Sequence, residues 1–370
     1  MKLLTVCLLA VVFANGQGGP QQKLQTAGEV FKNVTTLKDL PVDEFMDTMG
    51  MFSASLSLNC TDCHTKESGG SWEKYADDTP LKRMARRMIL MVNDLNKNNF
   101  RGERRVTCYT CHRGDQSPKA VPSFSVQYGV PFDDPNEIVL FPDPQAPSAD
   151  QIFDRYIQAV GGAQRLAAVK SFIAKGTYAG YDTEQAKVPV EVYSEAPARR
   201  AMIVHMAFGD SVRTFDGITG WIAAPDKPIP LMPLTGGNLV SAKIEAMVAF
   251  PSQIKQAFTQ WKVGAATIDD RAVQVVQGTS PGQAPVNFYF DETGMLVRML
   301  HFNPTAVGTV PTEIDYADYR DVAGIKMPFH LQTTWTDGRA TIELTDIQPN
   351  FPIDAARFGR PAPAPPPRLR

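Results

Sequence analysis

The sequence predicts a multidomain protein: a mainly α region followed by an α+β domain built on a curved antiparallel sheet or incomplete barrel. Three observations carry that expectation. Between residues 28 and 117, helix-start signals and helically spaced methionines surround two Cys-x-x-Cys-His pentapeptides. A stretch crowded with prolines follows. From residue 148 a single capped helix then gives way to many short runs of period-two alternation, the pattern of helices packed on an antiparallel sheet.

Length and composition agree. The 370 residues exceed one average domain. Hydrophobic residues at 43% and charged residues at 21% suit a chain that buries a core and exclude a wholly disordered one. A formal charge of −2 excludes a generally basic nucleic-acid binder. The N-terminus reads as an export signal over residues 1–16. Met1-Lys2 precedes the apolar run Leu3 to Ala14, and small polar residues follow from Asn15 to Gly19. Cys7 falls inside the segment expected to be removed. After it, no apolar run reaches the roughly 18 residues of a membrane span. The expected location is periplasmic or otherwise extracytoplasmic.

Setting Cys7 aside leaves four of the five cysteines, in Cys60-Thr61-Asp62-Cys63-His64 and Cys108-Tyr109-Thr110-Cys111-His112. In an exported chain two such pentapeptides point to covalent attachment of two c-type haems. Each thiol adds to one porphyrin vinyl group, and two intervening residues set the thiols about one vinyl separation apart. His64 and His112 are then placed to ligate iron from the proximal side. A zinc site could use the four cysteines but does not require a histidine after both pairs.

Each iron needs a sixth ligand or an open position. A helix is expected from Pro41-Val42-Asp43-Glu44, carrying Met46, Met49 and Met51. A second is expected to open at Thr79-Pro80, with Met84, Met88 and Met91 on one face. Thioether ligation raises the haem potential, yet a methionine stripe is also ordinary core packing. Spacing alone does not choose among the three methionines on either helix.

The stretch Val30 to Pro41, then Phe45 and Met49 ahead of Cys60, resembles the first haem segment of the photosynthetic reaction centre cytochrome c subunit family. Ala85-Arg86-Arg87-Met88 and Val106 to Gly114 are similar to a later segment. The resemblance spans roughly residues 28 to 118 and implies a di-haem electron carrier. It implies Met49 as axial ligand for the haem on Cys60 and Cys63, and Met88 for the haem on Cys108 and Cys111. The loop from Met49 to Cys60 is about two residues shorter than in the family, which leaves Met46 and Met51 as alternatives. The family's four segments are here two. The histidine it places before the later motif is missing between Asn96 and Thr107. Implied partners are soluble or membrane-associated electron donors and acceptors, with reaction-centre subunits among them. The cationic run from Lys82 to Arg113 reads equally as a docking patch or a solvated face.

Residues 118–147, punctuated by Pro118, Pro122, Pro131, Pro135, Pro142, Pro144 and Pro147, read as a linker. The second domain is expected over 148–360. It opens with a helix capped at Ser148 and ending at Gly161-Gly162. Strands are expected at 188–193, 201–206, 273–277, 286–290, 296–302 and 340–344, with a hairpin at Asp291 to Gly294. Residues 244–258 read as helical, and the proline-rich tail 361–370 as disordered. Trp221, Phe288-Tyr289-Phe290-Asp291 and the run Tyr316 to Pro328 are similar to periplasmic proteins of the lipoprotein-carrier fold. That likeness implies an incomplete barrel with an apolar ligand on its concave side; a scaffold or docking role stays equally open. His205, His301 and His330 read as strand-surface residues.

The reading is a non-catalytic, outer-sphere electron carrier. A di-haem peroxidase is the first alternative, but the stretch from Asp62 to Thr107 leaves no room for the separate cytochrome domain such enzymes use. An apolar-ligand sensor with haem redox input is the second.

Overall fold

The structure is a computed structural model that describes residues 24–129 and 144–365. The expected export segment, much of the proline-rich stretch and the last five residues lie outside the described residues. The helical region contains α1 (Ala27–Val30), α2 (Val42–Leu56), α3 (Cys60–Cys63), α4 (Pro80–Asn99), α5 (Cys108–His112) and α6 (Phe124–Gln127). Asp43 and Glu44 occupy the first turn of α2, where carboxylates complement the helix dipole. The helix stops at Ser57, which adopts a left-handed conformation (φ 50°). For α4, Thr79 accepts the Lys82 N–H at 3.2 Å and Pro80 occupies the first turn, as the sequence signals predict.

The second region begins with α7 (Ala149–Ala159), whose Ser148 and Gln151 cap each other reciprocally, and α8 (Ala163–Ala168). Between them the turn at Gly161 is forced. Its φ is +128°, and a Cβ there would stand 2.6 Å from the Gly324 carbonyl oxygen. Six strands follow: β1 (Ser171–Gly180), β2 (Val188–Glu195), β3 (Arg199–Met206), β4 (Gly209–Phe215), β5 (Gly220–Ala223) and β6 (Met232–Pro233). Helix α9 (Gly236–Val248) precedes β7 (Gln260–Ile268), β8 (Arg271–Thr279), β9 (Val286–Phe290), β10 (Leu296–Thr305), β11 (Gly308–Val322), β12 (Ile325–Trp335) and β13 (Gly338–Pro349).

These strands form one antiparallel sheet in the order β6-β5-β4-β3-β2-β1-β13-β12-β11-β10-β9-β8-β7. Every neighbour is consecutive in sequence except β1 and β13, so two meanders meet where the first and last strands pair. The ends, β6 and β7, do not pair, and the sheet is not closed into a barrel. As expected, β9 and β10 join through Asp291, whose side chain accepts the Thr293 and Met295 N–H groups. Helices α7 and α9 cover one face over Phe153, Tyr156, Ile244, Phe288, Phe290 and Leu296.

Two expectations change. Residues 244–258 do not form one helix. Instead α9 begins earlier, at Gly236, and a 3₁₀ turn at Pro251–Gln256 follows it, because Pro251 cannot continue the α-helical hydrogen bonding. The tail is held in place over its first residues, where the Ala364 N–H donates to the Pro230 carbonyl at 2.8 Å.

Helix α2 is the seam between the regions. Asp43 accepts the Thr235 N–H at 2.6 Å and the Thr235 hydroxyl at 2.7 Å, while Asp47 accepts from Asn238 at 2.7 Å. Farther along, Met51 is buried against Gly308, where a Cβ would lie 3.0 Å from its sulfur.

Candidate functional site

Both pentapeptides fold as single helical turns closed by reciprocal caps. At α3 the Asn59 side chain accepts the Asp62 N–H at 3.2 Å, and Asp62 accepts the Asn59 N–H at 2.8 Å. At α5, Thr107 and Thr110 exchange the equivalent bonds at 3.3 and 3.0 Å. So short a helix has no propagation energy to offset nucleation, and the caps supply its missing partners. All four cysteines are free thiols. Burial raises the pKa of Cys60, with the Asp337 carboxylate adding to it, and burial raises that of Cys63. Burial pushes Cys108 up to about 11.

The two histidines share one hydrogen-bond arrangement. His64 Nδ1 lies 3.1 Å from the Tyr75 carbonyl oxygen, and His112 Nδ1 lies 3.0 Å from that of Asp115. A carbonyl can only accept, so each Nδ1 carries the proton and each Nε2 presents a lone pair. Burial lowers the pKa of His64, and the Lys82 charge adds to this, favouring the neutral imidazole. The Tyr75 ring packs on His64 with centroids 4.7 Å apart and is itself stacked on Trp72.

Helix α4 runs from one motif to the other. At its start the Thr79 hydroxyl donates to the Cys63 carbonyl at 2.6 Å, and Lys82 donates to that of Tyr75 at 2.7 Å. Near its end buried Asn96 donates to the Val106 carbonyl at 2.7 Å. Its own side-chain oxygen accepts the Arg105 and Val106 N–H groups at 3.0 and 2.9 Å. The second motif is also fixed to the sheet region, where the Cys108 N–H donates to the Val307 carbonyl at 3.3 Å and Arg104 donates to that of Thr305.

The candidate methionines differ in surroundings. On α2, Met51 is buried at the seam, Met46 lines a cavity in the sheet domain, and Met49 is half-buried against the cluster of Leu37, Ile89 and Cys108. On α4, Met88 is half-buried beside Ile89, whereas Met84 and Met91 are 44% and 49% exposed. Leu81, Met84, Met88, Met91 and Leu95 form one apolar stripe, and all but Met88 are exposed. Such a stripe on a soluble helix calls for a partner. The donor set fits haem: paired free thiols, an imidazole with a bare Nε2, thioethers within the same small region, and an uncovered apolar helix face. Of the cationic run, Arg86 is engaged by Asp78 and Asn33 and Arg104 by Thr305, so part of it serves the fold.

Sequence reasoning missed Tyr75, Asn96 and the Asp115 carbonyl, none of which carries a local signal. It also misplaced His301. That histidine is 4% exposed, within the sheet domain, because β10 is buried on both faces from Met299 to Asn303.

Capped Cys-x-x-Cys-His turns bridged by a methionine helix make a cytochrome-like module, here followed by an open-sheet domain. Residues 10–129 match the family model described as photosynthetic reaction centre cytochrome C subunit. Over 97 residues the chain is 41% identical to the photosynthetic reaction center cytochrome c subunit of Thermochromatium tepidum, covering 25% of this chain and 23% of that protein. The subunit from Roseobacter denitrificans is 34% identical over 110 residues, covering 28% and 29%. The chain thus spans about a quarter of the length of these relatives. That family carries c-type haems. Residues 233–344 match a family of unknown function (DUF6544). Among solved structures, a LolA superfamily protein from Nitrosomonas europaea aligns with 58% of this chain and 99% of its own, at 11% identity and a TM-score of 0.39. A putative outer membrane lipoprotein-sorting protein domain from Vibrio parahaemolyticus aligns at 8% identity and a TM-score of 0.35, covering 56% and 97%.

Proposed function

We propose that the protein is an exported di-haem c-type cytochrome that passes electrons between redox partners. Cys60 and Cys63 would hold one haem and Cys108 and Cys111 the other, with His64 and His112 as proximal ligands. The observation that carries this reading is the shared histidine arrangement: Nδ1 tied to a backbone carbonyl and Nε2 free. Bound haem supplies a one-electron couple; the residues of the chain set its ligation and exclude water. Met49 and Met88 are the sixth ligands in this reading. Met51 is committed to Gly308 and Met46 faces the cavity, which leaves Met49 as the α2 methionine on the helical side. Among the described residues no helix is long and apolar enough to cross a membrane. The proposed setting is the periplasm, with reaction-centre subunits as one class of partner, supported by the similarity of residues 10–129.

The test is a haem count with ligand replacement. Two haems should survive acid–acetone extraction, one lost with Cys60→Ala/Cys63→Ala and one with Cys108→Ala/Cys111→Ala. Both ferric haems should be low-spin, and the ferrous protein should bind carbon monoxide poorly. Met88→Ala should open one site to carbon monoxide and lower one potential, while Met84→Ala leaves ligation intact. Zinc in place of haem, or peroxide turnover by the unmutated protein, would refute the reading.

A further inference from the structure

The two motif histidines share a bond but not its surroundings. The Tyr75 carbonyl oxygen that accepts from His64 Nδ1 at 3.1 Å also accepts from the Lys82 ammonium at 2.7 Å. That ammonium reaches the Asp77 carbonyl as well, again at 2.7 Å. The carboxylates close by are taken by other cations. Asp77 pairs with Lys74 at 3.6 Å, and Asp78 pairs with Arg86 at 2.6 Å and Arg83 at 3.3 Å. The Lys82 charge is therefore delivered to backbone oxygens. At the second motif His112 Nδ1 meets the Asp115 carbonyl at 3.0 Å, and among the described residues no cationic side chain donates to that oxygen. Lys119 pairs instead with the Asp115 carboxylate.

The start of α4 holds Lys82 in that place. Thr79 accepts the Lys82 N–H at 3.2 Å and donates to the Cys63 carbonyl at 2.6 Å, which ties the helix turn carrying Lys82 to the turn before His64. His64, Tyr75 and Lys82 are all half-buried, and the Tyr75 ring covers His64, so salt screens this contact less than an exposed one. A carbonyl oxygen has two lone pairs and can take both donors. The chemical consequence has a sign. A carbonyl that draws on Nδ1–H raises the basicity of Nε2, and a more basic imidazole stabilises ferric iron. A cation on the same oxygen withdraws part of the density that the carbonyl would offer, so the ring stays less basic. Its positive charge, two hydrogen bonds from the ring, also disfavours the ferric state. Both effects raise the potential.

We propose that Lys82 is a positioning residue for redox tuning. Acting through the Tyr75 carbonyl, it weakens the support of His64 and raises the potential of a haem on Cys60 and Cys63, while a haem on Cys108 and Cys111 is left unaffected. The inference rests on the di-haem reading and adds to it a difference between two motifs of like sequence. An electron shared by the two sites is shifted toward the first by the factor that Lys82 supplies.

The test is a redox titration of the full, haem-loaded protein, its two components assigned with the variants that lack either cysteine pair. Lys82→Met should lower the first component by about tenfold in its one-electron equilibrium, or about 59 mV, and leave the second in place. Lys82→Arg should restore most of the loss. Lys82→Gln, which keeps a donor without the charge, should fall between. The shift should persist in about 1 M salt, where the Debye length of about 3 Å removes the effect of a distant surface charge but not of a contact. An unmoved first component overturns the proposal. So does an equal fall in both components, a fall that Lys82→Arg does not reverse, or one that salt abolishes. If Lys82→Met does not retain the first haem, Lys82→Gln decides: a lowered first component alone supports the proposal, and an unchanged one overturns it. A protein without covalent haem refutes the cytochrome reading and this proposal with it, whereas haem of unmoved potential refutes this proposal alone.

Discussion

The two regions of the molecule bury apolar surface on different scales. In the sheet domain a continuous core runs from α7 to β13, with Phe153, Phe288, Phe290, Leu296 and Met299 fully enclosed. The helical region encloses far less. Its shared cluster of Leu37, Met51, Ile89 and Cys108 is completed by Val307 and Val310, which belong to the sheet domain. Meanwhile α4 turns Leu81, Met84, Leu90, Met91 and Leu95 toward solvent. One region is stabilised by its own side chains. The other is finished by neighbours: the β10–β11 hairpin on one side and, in the proposed reading, two porphyrins on the other.

The largest expected effect follows from that contrast. With all four motif cysteines replaced by alanine, residues 42–112 should lose hydrogen-exchange protection while β8 to β13 keep theirs. A helical region that stays equally protected without haem would show that its own core suffices.

A smaller effect belongs to the sheet domain. Burial lowers the pKa of His301 to about 4 from an ordinary 6.5. The unfolded chain therefore binds the extra proton between those values and the folded one does not. The resulting stability is complete above pH 6.5 and is lost as pH falls toward 4, by at most about 3 kcal/mol. His301→Gln should flatten that part of the profile in urea unfolding at a series of pH values. Identical slopes in the two proteins would mean that His301 is not held neutral.

The smallest effect sharpens the comparison within the helical region. The first motif is tied to the start of α4 through Thr79, and the second to its end through Asn96. Asn96→Ala leaves the Arg105 and Val106 N–H groups without their acceptor and should cost about 2 kcal/mol. Exchange should rise at residues 105–112 but not at 59–64. A uniform rise across both motifs would make α4 a single cooperative unit instead.

Local signals were legible where neighbouring residues satisfy each other. The Thr79-Pro80 helix start, the Ser148 cap, the Asp291 hairpin and both Cys-x-x-Cys-His turns involve partners a few residues apart, so their chemistry is written in order along the chain. Other features were not. The start of α9 at Gly236-Gly237 was hidden because glycine is a poor helix former, and packing on β10 and α2 outweighs that propensity. The three α2 methionines could not be separated by spacing. They point respectively to the cavity, the small shared core and Gly308, surroundings assembled largely from residues outside α2 and far along the chain.

By itself the sequence determined the chemistry on offer: four thiols in two pairs, two adjacent imidazoles, clustered thioethers, and a helical region followed by antiparallel strands. Reactivity of that kind depends on atoms held within a turn or two, where chain connectivity sets the distances. Only the tertiary structure decided which ring nitrogen of each histidine is free, which methionine is spent on packing, and that His301 meets Ser241 and Glu245 in an enclosed space. Except at His112, whose partner Asp115 is three residues on, those outcomes rest on contacts between residues farther apart in the chain. Burial converts such contacts into fixed tautomers and unpaired charges, and burial is a property of the packed whole.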